Sequence, residues 1–228
     1  MSVIAQQMLT GLTRPALQQI GSHRLQPATA AAFFLMQQAA AAEGINITIA
    51  SSYRDFATQL RIWQGKLSGQ RPVFDLNAQL IDLSQLDDRT KLYAILHFSA
   101  LPGTSRHHWG TDFDVFDSAA ISSDYQLQLT PAEYTADGPF HRLDSWLGKH
   151  AARFGFFRPY RQYLGGVAVE PWHLSYWPQA KHYQSALTKE QVLFACKNAD
   201  LFPQDLLKTE IDEIMRRYVF NICEGTNE

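Results

Sequence analysis

The amino-acid sequence predicts an α+β fold, because helical and strand patterns follow one another without the regular alternation that a parallel sheet requires. The chain of 228 residues shows no internal repeat and no low-complexity linker, so one domain with appended segments is the simplest organisation. Apolar residues make up 46% of the sequence, an ordinary share for a globular protein with a sizeable core.

The first half of the chain predicts a helix, a strand and a second helix. Pro27 and Gly44 bracket an alanine-rich helix, since proline favours the first helical turn and glycine the position after the last. Apolar and polar residues then alternate over 45–50, as they do in a strand. Asp55 can cap the next helix, whose apolar face comprises Phe56, Leu60, Trp63 and Leu67.

The middle of the chain predicts short elements joined by loops. Residues 75–88 are polar and predict a loop, and residues 91–98 predict a short helix. The segment DFDVFD at 112–117 alternates as a strand does, and Asp137-Gly138-Pro139 predicts a hairpin or a loop. An amphipathic helix follows at 143–154. The segment VAVE at 167–170 predicts a strand that ends at Pro171.

The C-terminal part, from residue 178 onward, predicts helices. Thr188 and Gln191 can form a capping box. An apolar stripe at helical spacing follows: Leu207, Ile211, Ile214, Tyr218 and Ile222. Cys196 and Cys223 have no zinc-knuckle spacing and form at most one bridge, so we expect two small apolar residues on these helices.

Charge and hydropathy argue against nucleic acid as a partner, against a membrane span and against a secretory signal. The 20 Lys and Arg residues balance 22 Asp and Glu residues, which argues against nucleic acid. The most apolar stretch, residues 28–42, contains two glutamines and is shorter than the roughly 20 residues of a membrane span. Because the N-terminus lacks a basic segment and Gln6 and Gln7 interrupt its apolar residues, we expect no secretory signal and a cytoplasmic protein.

Three separated segments, at residues 51–54, 105–114 and 170–173, combine the residue types that a metal hydrolase needs. All three lie in loops or at strand ends, where side chains can converge on one cleft. A single histidine such as His97 is more often a packed or surface residue. Two histidines with a carboxylate, however, form the three-ligand set of a catalytic zinc site, which leaves a fourth position for water.

Strand geometry supports a metal but leaves the roles open. The alternation in DFDV places Asp112 and Asp114 on one face, where two carboxylates on an apolar strand need a cation or hydrogen bonds. Glu170 and His173 would face opposite sides of an ideal strand, but Pro171 ends or bends it. His173 as ligand and Glu170 as base is one interpretation, and a surface ion pair of Glu170 is the other.

Together these residues resemble the motifs of the zinc D-alanyl-D-alanine carboxypeptidases of the VanY-like family, which are related to D,D-dipeptidases and phage L-alanyl-D-glutamate endopeptidases. The S-x-H-x-x-G-x-x-x-D motif matches Ser105, His107, Gly110 and Asp114. The E-x-W-H motif matches Glu170, Trp172 and His173. The S-x-Y-R motif matches Ser52, Tyr53 and Arg54, with Gln59 five residues later.

The resemblance implies a small, mainly antiparallel sheet with a zinc cleft, flanked by helices. Residues 1–177 would form the zinc peptidase domain, and residues 178–228 a C-terminal helical extension packed on the same domain. These C-terminal helices are also a candidate surface for a homodimer.

The same resemblance implies the chemistry. One Zn²⁺ per chain would be bound by His107, Asp114 and His173. Glu170 would be the general base and Arg54 the oxyanion donor, while Ser105, Gln59 and Tyr53 would contact the substrate. The expected reaction is hydrolysis of the C-terminal peptide bond to a D-amino acid in a peptidoglycan-derived peptide, and such a substrate suggests the periplasm or cell envelope as an alternative compartment.

Several alternatives remain at this level. Asp112 stands where the family often has a small residue, so it either orients a histidine or competes for the metal, and His108 is the alternative to His107. An endopeptidase of the same superfamily and an inactive zinc-containing peptide-binding module are rival functions. A non-haem iron oxygenase is disfavoured, because its first histidine and acid are typically two residues apart. D,D- and L,D-carboxypeptidase and dipeptidase activities are not separated by the motifs.

Overall fold

The computed structural model describes residues 7–225 and contains two sheets surrounded by helices. The strands are β1 (Gln18–Ile20), β2 (His23–Leu25), β3 (Ile47–Ser51), β4 (Asp112–Asp117), β5 (Phe156–Phe157) and β6 (His173–Tyr176). The α-helices are α1 (Pro27–Ala41), α2 (Phe56–Leu67), α3 (Asp88–Leu96), α4 (His141–His150), α5 (Trp177–Ala186), α6 (Lys189–Cys196) and α7 (Gln204–Ile214). The predicted α+β class is confirmed.

The larger sheet has the strand order β3-β4-β6-β5, and all its neighbours are antiparallel. Its register pairs Asp114 with His173 on one side and with Ser51 on the other. The alternation along β4 buries Phe113 and Val115 against the helices, so Asp112 and Asp114 share the opposite face, as predicted. The sheet therefore brings the three motif segments side by side.

Two hydrophobic clusters support this sheet. One lies between β3, β4, β6 and the helices α1 and α4, and includes Phe33, Phe113 and Leu174. The other is built from α2, α3 and the C-terminal helices α5 to α7, and includes Trp63 and Leu207. Helices after residue 177 thus share a core with α2 and α3.

The predicted strand at 167–170 is wrong. Residues 167–170 have no strand partner, and the strand is β6, which begins after Pro171. The backbone N–H groups of Ala168 and Glu170 donate instead to the carbonyls of His97 and Tyr160, in two different loops. Proline has no N–H to offer a ladder, and the bonding to β4 begins beyond it: the Trp172 carbonyl accepts from the Val115 N–H, and the register pairs His173 with Asp114.

The helix predictions at 27–44, after Asp55 and after Thr188 are confirmed. Asp55 accepts from the Thr58 N–H at the start of α2, and Thr188 and Gln191 form the predicted capping box. Asp137-Gly138-Pro139 lies in a turn after a short 3₁₀ segment, so the loop interpretation holds rather than the hairpin.

The C-terminal stripe is buried at Leu207, Ile211, Ile214 and Tyr218, where α7 continues into the π-helical segment Met215–Val219. Ile222 and Cys223 lie beyond the helix, which corrects the prediction for these two residues. Cys196 and Cys223 are both buried and free. Within the described range, no helix is long and apolar enough to cross a membrane. Gln6, part of the argument against a secretory signal, lies outside that range.

Candidate metal centre and active site

Three buried side chains form a cluster that could hold a metal ion: His107, Asp114 and His173, whose ligand atoms all lie within 4.8 Å of one another. The Nε2 atom of His107 is 3.5 Å from Asp114 Oδ2, and Nδ1 of His173 is 3.1 Å from Asp114 Oδ1. The two imidazole rings are perpendicular, with centroids 4.9 Å apart. One carboxylate therefore faces two histidine nitrogens.

The ring of His107 is oriented by the backbone of the residue that follows β3. Its Nδ1 lies 2.9 Å from the carbonyl oxygen of Ser52, just after the end of that strand. If Nδ1 donates its proton there, Nε2 is left unprotonated and faces Asp114, which is the arrangement that metal-binding histidines adopt.

The ring of His173 is held between two carboxylates. Its Nε2 lies 3.1 Å from Asp112 Oδ1, and its Nδ1 faces Asp114 and lies 3.6 Å from Glu170 Oε2. Burial by itself would lower the pKa of His173, but the negative charges of Asp112 and Asp114 beside the ring outweigh it and raise the pKa to about 9. The ring therefore presents Nδ1 to the cluster.

Asp112 lies behind His173 rather than inside the cluster. Its Oδ1 accepts from Arg106 Nε at 2.7 Å as well as from His173, and its Oδ2 accepts from the Thr111 hydroxyl at 2.7 Å. Although burial opposes ionisation, Arg106 and His173 hold the pKa of Asp112 well below its usual range. Both oxygens are occupied, so the geometry favours the orienting role over competition for a metal.

A cation would complete the cluster. Oδ1 of Asp114 is buried and has no hydrogen-bond partner among residues 7–225, although His173 Nδ1 is nearby. Buried carboxylate oxygens in native proteins are normally paired, and an unpaired one indicates a missing ion or water. Two imidazole nitrogens and one carboxylate oxygen are donors that suit zinc. The residues present therefore fit a zinc ion with an open position.

Glu170 is buried at the edge of the cluster. Burial raises the pKa of its carboxyl group to about 7, with His173 opposing the shift. Its backbone N–H donates to Tyr160, which fixes the loop before β6. A carboxyl group with a pKa near 7 beside a candidate metal site is suited to act as a general base.

Arg54 is anchored by its backbone and its guanidinium. Its N–H donates to the carbonyl of His107 over 3.2 Å, and its carbonyl lies 2.7 Å from His108 Nδ1. Nη1 donates to Gln59 Oε1 over 3.1 Å, and the amide of Gln59 donates to the Ala100 carbonyl over 2.7 Å. Nε of Arg54 is buried without a hydrogen-bond partner in the described part of the chain, so this group can still donate to a ligand.

His108 points away from the metal cluster. Its Nε2 accepts from the Gly103 N–H at 3.1 Å, while Nδ1 contacts the Arg54 carbonyl. Burial lowers the pKa of His108 to about 4, so the ring is neutral at ordinary pH. Of the two adjacent histidines, the structure therefore places His107 in the cluster and gives His108 a supporting contact.

A cavity of about 340 Å³ opens over these groups, within the size range of small-ligand sites. Glu170, Arg54, Gln59 and Ser105 line it together with the metal cluster. Apolar walls are supplied by Phe74, Phe98, Leu129, Pro131, Val167 and Trp172. Tyr53 is not among the lining residues, and its ring lies against Arg24, whose guanidinium carbon is 5.5 Å from the ring centroid.

The family model for VanY, D-alanyl-D-alanine carboxypeptidase, matches residues 22–179. The chain belongs to the VanY family. All three motif segments fall inside the matched range, so the cluster, Glu170 and Arg54 lie in the part of the chain that defines this peptidase family. Its members act on peptidoglycan-related peptides.

Two proteins of Haemophilus influenzae, both described as uncharacterized, are similar in sequence. One is 32% identical over 121 residues, which cover 52% of this chain and 92% of the relative. The other is 44% identical over 100 residues, which cover 42% of this chain and 68% of the relative.

Solved VanY structures share the fold. VanYB in complex with D-alanine-D-alanine is 25% identical, with a TM-score of 0.52 over 78% of this chain and 87% of that one. A vancomycin-resistance D,D-pentapeptidase VanY in complex with Zn(II) is 25% identical, with a TM-score of 0.51 over 79% of this chain and 93% of that one. The LdcB L,D-carboxypeptidase has a TM-score of 0.52 at 24% identity over 81% and 80%, which shows a common fold.

Sequence reasoning missed three residues of this VanY-family site. Arg106 lies in a motif segment but has no role in the sequence analysis. Its guanidinium donates to Asp112, Ser175 and Gln184, and so it connects Asp112, the residue behind His173, to Gln184 on α5. Lys66 lines the cavity from α2. The backbone carbonyl of Ser52 orients His107. A backbone acceptor leaves no signal in the residue types, whereas Arg106 stands next to two histidines in an otherwise charge-poor segment.

Proposed function

We propose that this VanY-family chain is a zinc-dependent carboxypeptidase that releases a C-terminal D-amino acid from peptidoglycan stem peptides. The observation that carries the proposal is the buried Asp114 carboxylate between His107 and His173, of which Oδ1 has no hydrogen bond among the described residues, beside the carboxyl group of Glu170, whose pKa burial raises to about 7. The Zn(II) and D-alanine-D-alanine found in similar VanY proteins support both the metal and the substrate class.

In the proposed mechanism His107, Asp114 and His173 hold the ion. When bound, zinc supplies a Lewis acid that polarises the scissile carbonyl and lowers the pKa of water to about 7. Glu170 accepts a proton from the attacking water and delivers it to the leaving amine, for which a carboxyl pKa near 7 is well matched.

Arg54 would stabilise the negative charge that develops on the carbonyl oxygen. Its Nε has no partner among the described residues, and Gln59 holds Nη1, so the guanidinium is oriented before substrate arrives. Donors that are fixed in advance are effective because they need no reorganisation during the reaction. A purely structural metal site would not require this arrangement.

The decisive experiment is mass spectrometry of defined tri-, tetra- and pentapeptide stems incubated with the zinc-loaded protein. The proposal predicts loss of one C-terminal D-amino acid, and the peptide that is shortened distinguishes D,D- from L,D-cleavage. Cleavage at an internal bond would identify an endopeptidase. Tight peptide binding without cleavage would identify an inactive binding module, and either result would contradict the proposal.

A further inference from the structure

Three Lys and Arg side chains line the cavity: Arg54, Lys66 and Arg106. Arg106 is fully engaged, since it donates to Asp112, Gln184 and Ser175. Arg54 is bonded to Gln59 and has a role at the reacting carbonyl in the proposed mechanism. The ammonium group of Lys66 has no hydrogen bond and no ion pair with any other residue in the range 7–225. Of these three side chains, Lys66 is therefore the one whose charged group has no bonded partner in the described range.

The position of Lys66 on α2 directs it toward the reacting groups. Gln59, Trp63 and Lys66 are spaced by four and three residues, so they share one face of this helix. Helical side chains lean toward the N-terminus of their helix, and for Lys66 that is the end where Gln59 holds Arg54. Lys66 and Glu170 line the same cavity, and the charge of Glu170 opposes the lowering of the Lys66 pKa by burial.

The environment of Lys66 favours an anionic ligand. Burial lowers the pKa of Lys66 to about 8, with Glu170 opposing the shift, so the side chain is still mostly charged at neutral pH. A partly buried ammonium has lost hydration, and no hydrogen bond from residues 7–225 replaces it. A substrate carboxylate that binds in the cavity would compensate the ammonium group for this lost hydration.

We propose that Lys66 binds the C-terminal carboxylate of the substrate peptide and so selects cleavage at the last peptide bond. The proposal rests on the carboxypeptidase function, because only such a substrate has a free carboxylate one residue beyond the reacting carbonyl. The apolar side chains of the cavity wall cannot compensate a carboxylate and its neutral polar ones carry no positive charge, which makes this lysine specificity-determining.

The test separates binding from hydrolysis. Tetrapeptide and pentapeptide stems are prepared as C-terminal acids and as C-terminal amides, and their affinities for the zinc-loaded Glu170→Gln protein are measured by calorimetry. We expect the acids to bind about tenfold or more tightly than the amides, the range for a hydrogen bond to a charged group. In the Glu170→Gln background, a second substitution Lys66→Gln should abolish the preference for acids and leave the affinity for amides unchanged. Lys66→Arg in the same background should retain part of the preference for acids.

Two controls complete the design. Lys149→Gln, on the exposed side of α4 and outside the cavity, should leave the acid-to-amide ratio unchanged. Stems amidated on the side-chain carboxylates should bind like the unmodified acids. The proposal would be overturned if the Lys66→Gln protein still preferred acids to amides, or if the substitution weakened acids and amides equally. It would also be overturned if the preference depended on a side-chain carboxylate, or if no stem bound at all.

The failure of this proposal can be told apart from failure of the proposed function. If the wild-type protein cleaves no stem while the acid preference depends on Lys66, the hydrolytic function is wrong and the carboxylate site stands. If stems are shortened from the C-terminus but the preference ignores Lys66, the function stands and the role of Lys66 is wrong.

Discussion

The imidazole of His173 is bonded through Nε2 to the carboxylate of Asp112, 3.1 Å away, on the side of the ring that faces away from Asp114. A carboxylate behind a metal-binding histidine sets its tautomer and increases its basicity. Asp112 in turn is held by Arg106 and Thr111, so this pair is part of a buried network that extends to α5. The relationship leads to two of the predictions below.

Replacing Asp112 by Asn should weaken zinc binding by about 10- to 100-fold, because the support of His173 loses its charge. Zinc affinity is measured by competition with a chromophoric chelator, and unfolding of the metal-free protein serves as a check on the fold. Asp124→Asn, an exposed substitution of the same kind, should leave the affinity unchanged. Unaltered zinc affinity in a folded Asp112→Asn protein would contradict the role assigned to Asp112.

Zinc binding at pH 7 should release about one proton per ion, because a metal requires the neutral imidazole. In the metal-free protein, burial lowers the pKa of His173, but Asp112 and Asp114 raise it to about 9, so the ring is protonated at pH 7. Apparent zinc affinity should therefore increase with pH up to about 9. Calorimetry in buffers of different ionisation enthalpy measures the proton count. A count near zero at pH 7 would be inconsistent with this pairing.

Glu170→Gln should retain zinc and lose catalysis, since the amide cannot accept a proton. A general base contributes about 10²- to 10⁴-fold, and kcat on the cleaved stem peptide should fall by that factor. Metal analysis of the same preparation tests zinc content. Glu190→Gln, an exposed change at the start of α6, is the matched control. Full activity of Glu170→Gln would remove Glu170 from the mechanism.

Arg54→Gln should lower kcat by about 10²- to 10³-fold, the usual effect of removing one oxyanion donor. KM should change little, because the lost interaction forms as charge develops during the reaction. Arg61→Gln, on the exposed side of α2, the helix that begins two residues after Arg54, is expected to behave as wild type. A change confined to KM would instead indicate that Arg54 binds the ground state of the substrate.

Gly11→Ala tests the support of Arg54 by His108. Gly11 has φ +76°, and a Cβ there would lie 2.5 Å from His108 Nδ1, the atom that contacts the Arg54 carbonyl. We expect a loss of stability of about 1–3 kcal/mol from this crowding, in addition to about 1 kcal/mol for the left-handed backbone. Stability is measured by urea unfolding, and kcat is measured separately on the same samples.

Gly21→Ala is the matched control for that substitution. Gly21 has φ +56°, but nothing lies within 4 Å of a Cβ at this position. It should therefore show only the backbone contribution, with kcat unchanged. Equal effects of the two substitutions on stability and kcat would mean that His108 does not transmit the crowding to Arg54.

By itself, the sequence determined the elements with strong local signals and the residues that meet in the site. Caps such as Asp55 and Thr188 act on backbone groups within a few residues, so they are readable without tertiary structure. The same holds for the alternation in β4, which placed Asp112 and Asp114 on one face. Motif order and spacing indicated the VanY family, and the family match agrees.

Only the tertiary structure decided what each of these neighbouring residues does. Asp112 and Asp114 are equivalent by alternation, and His107 and His108 are adjacent. Their hydrogen-bond partners give the members of each pair different roles. Asp112 bonds Arg106, His107 bonds the Ser52 carbonyl and His108 bonds the Arg54 carbonyl. The strand was predicted at 167–170 but formed at β6, because the N–H groups of Ala168 and Glu170 donate to the carbonyls of His97 and Tyr160 in other loops and not to a neighbouring strand. Hydrogen-bond partners from distant segments select the tautomers and charges of the site, and those segments meet only in the folded chain.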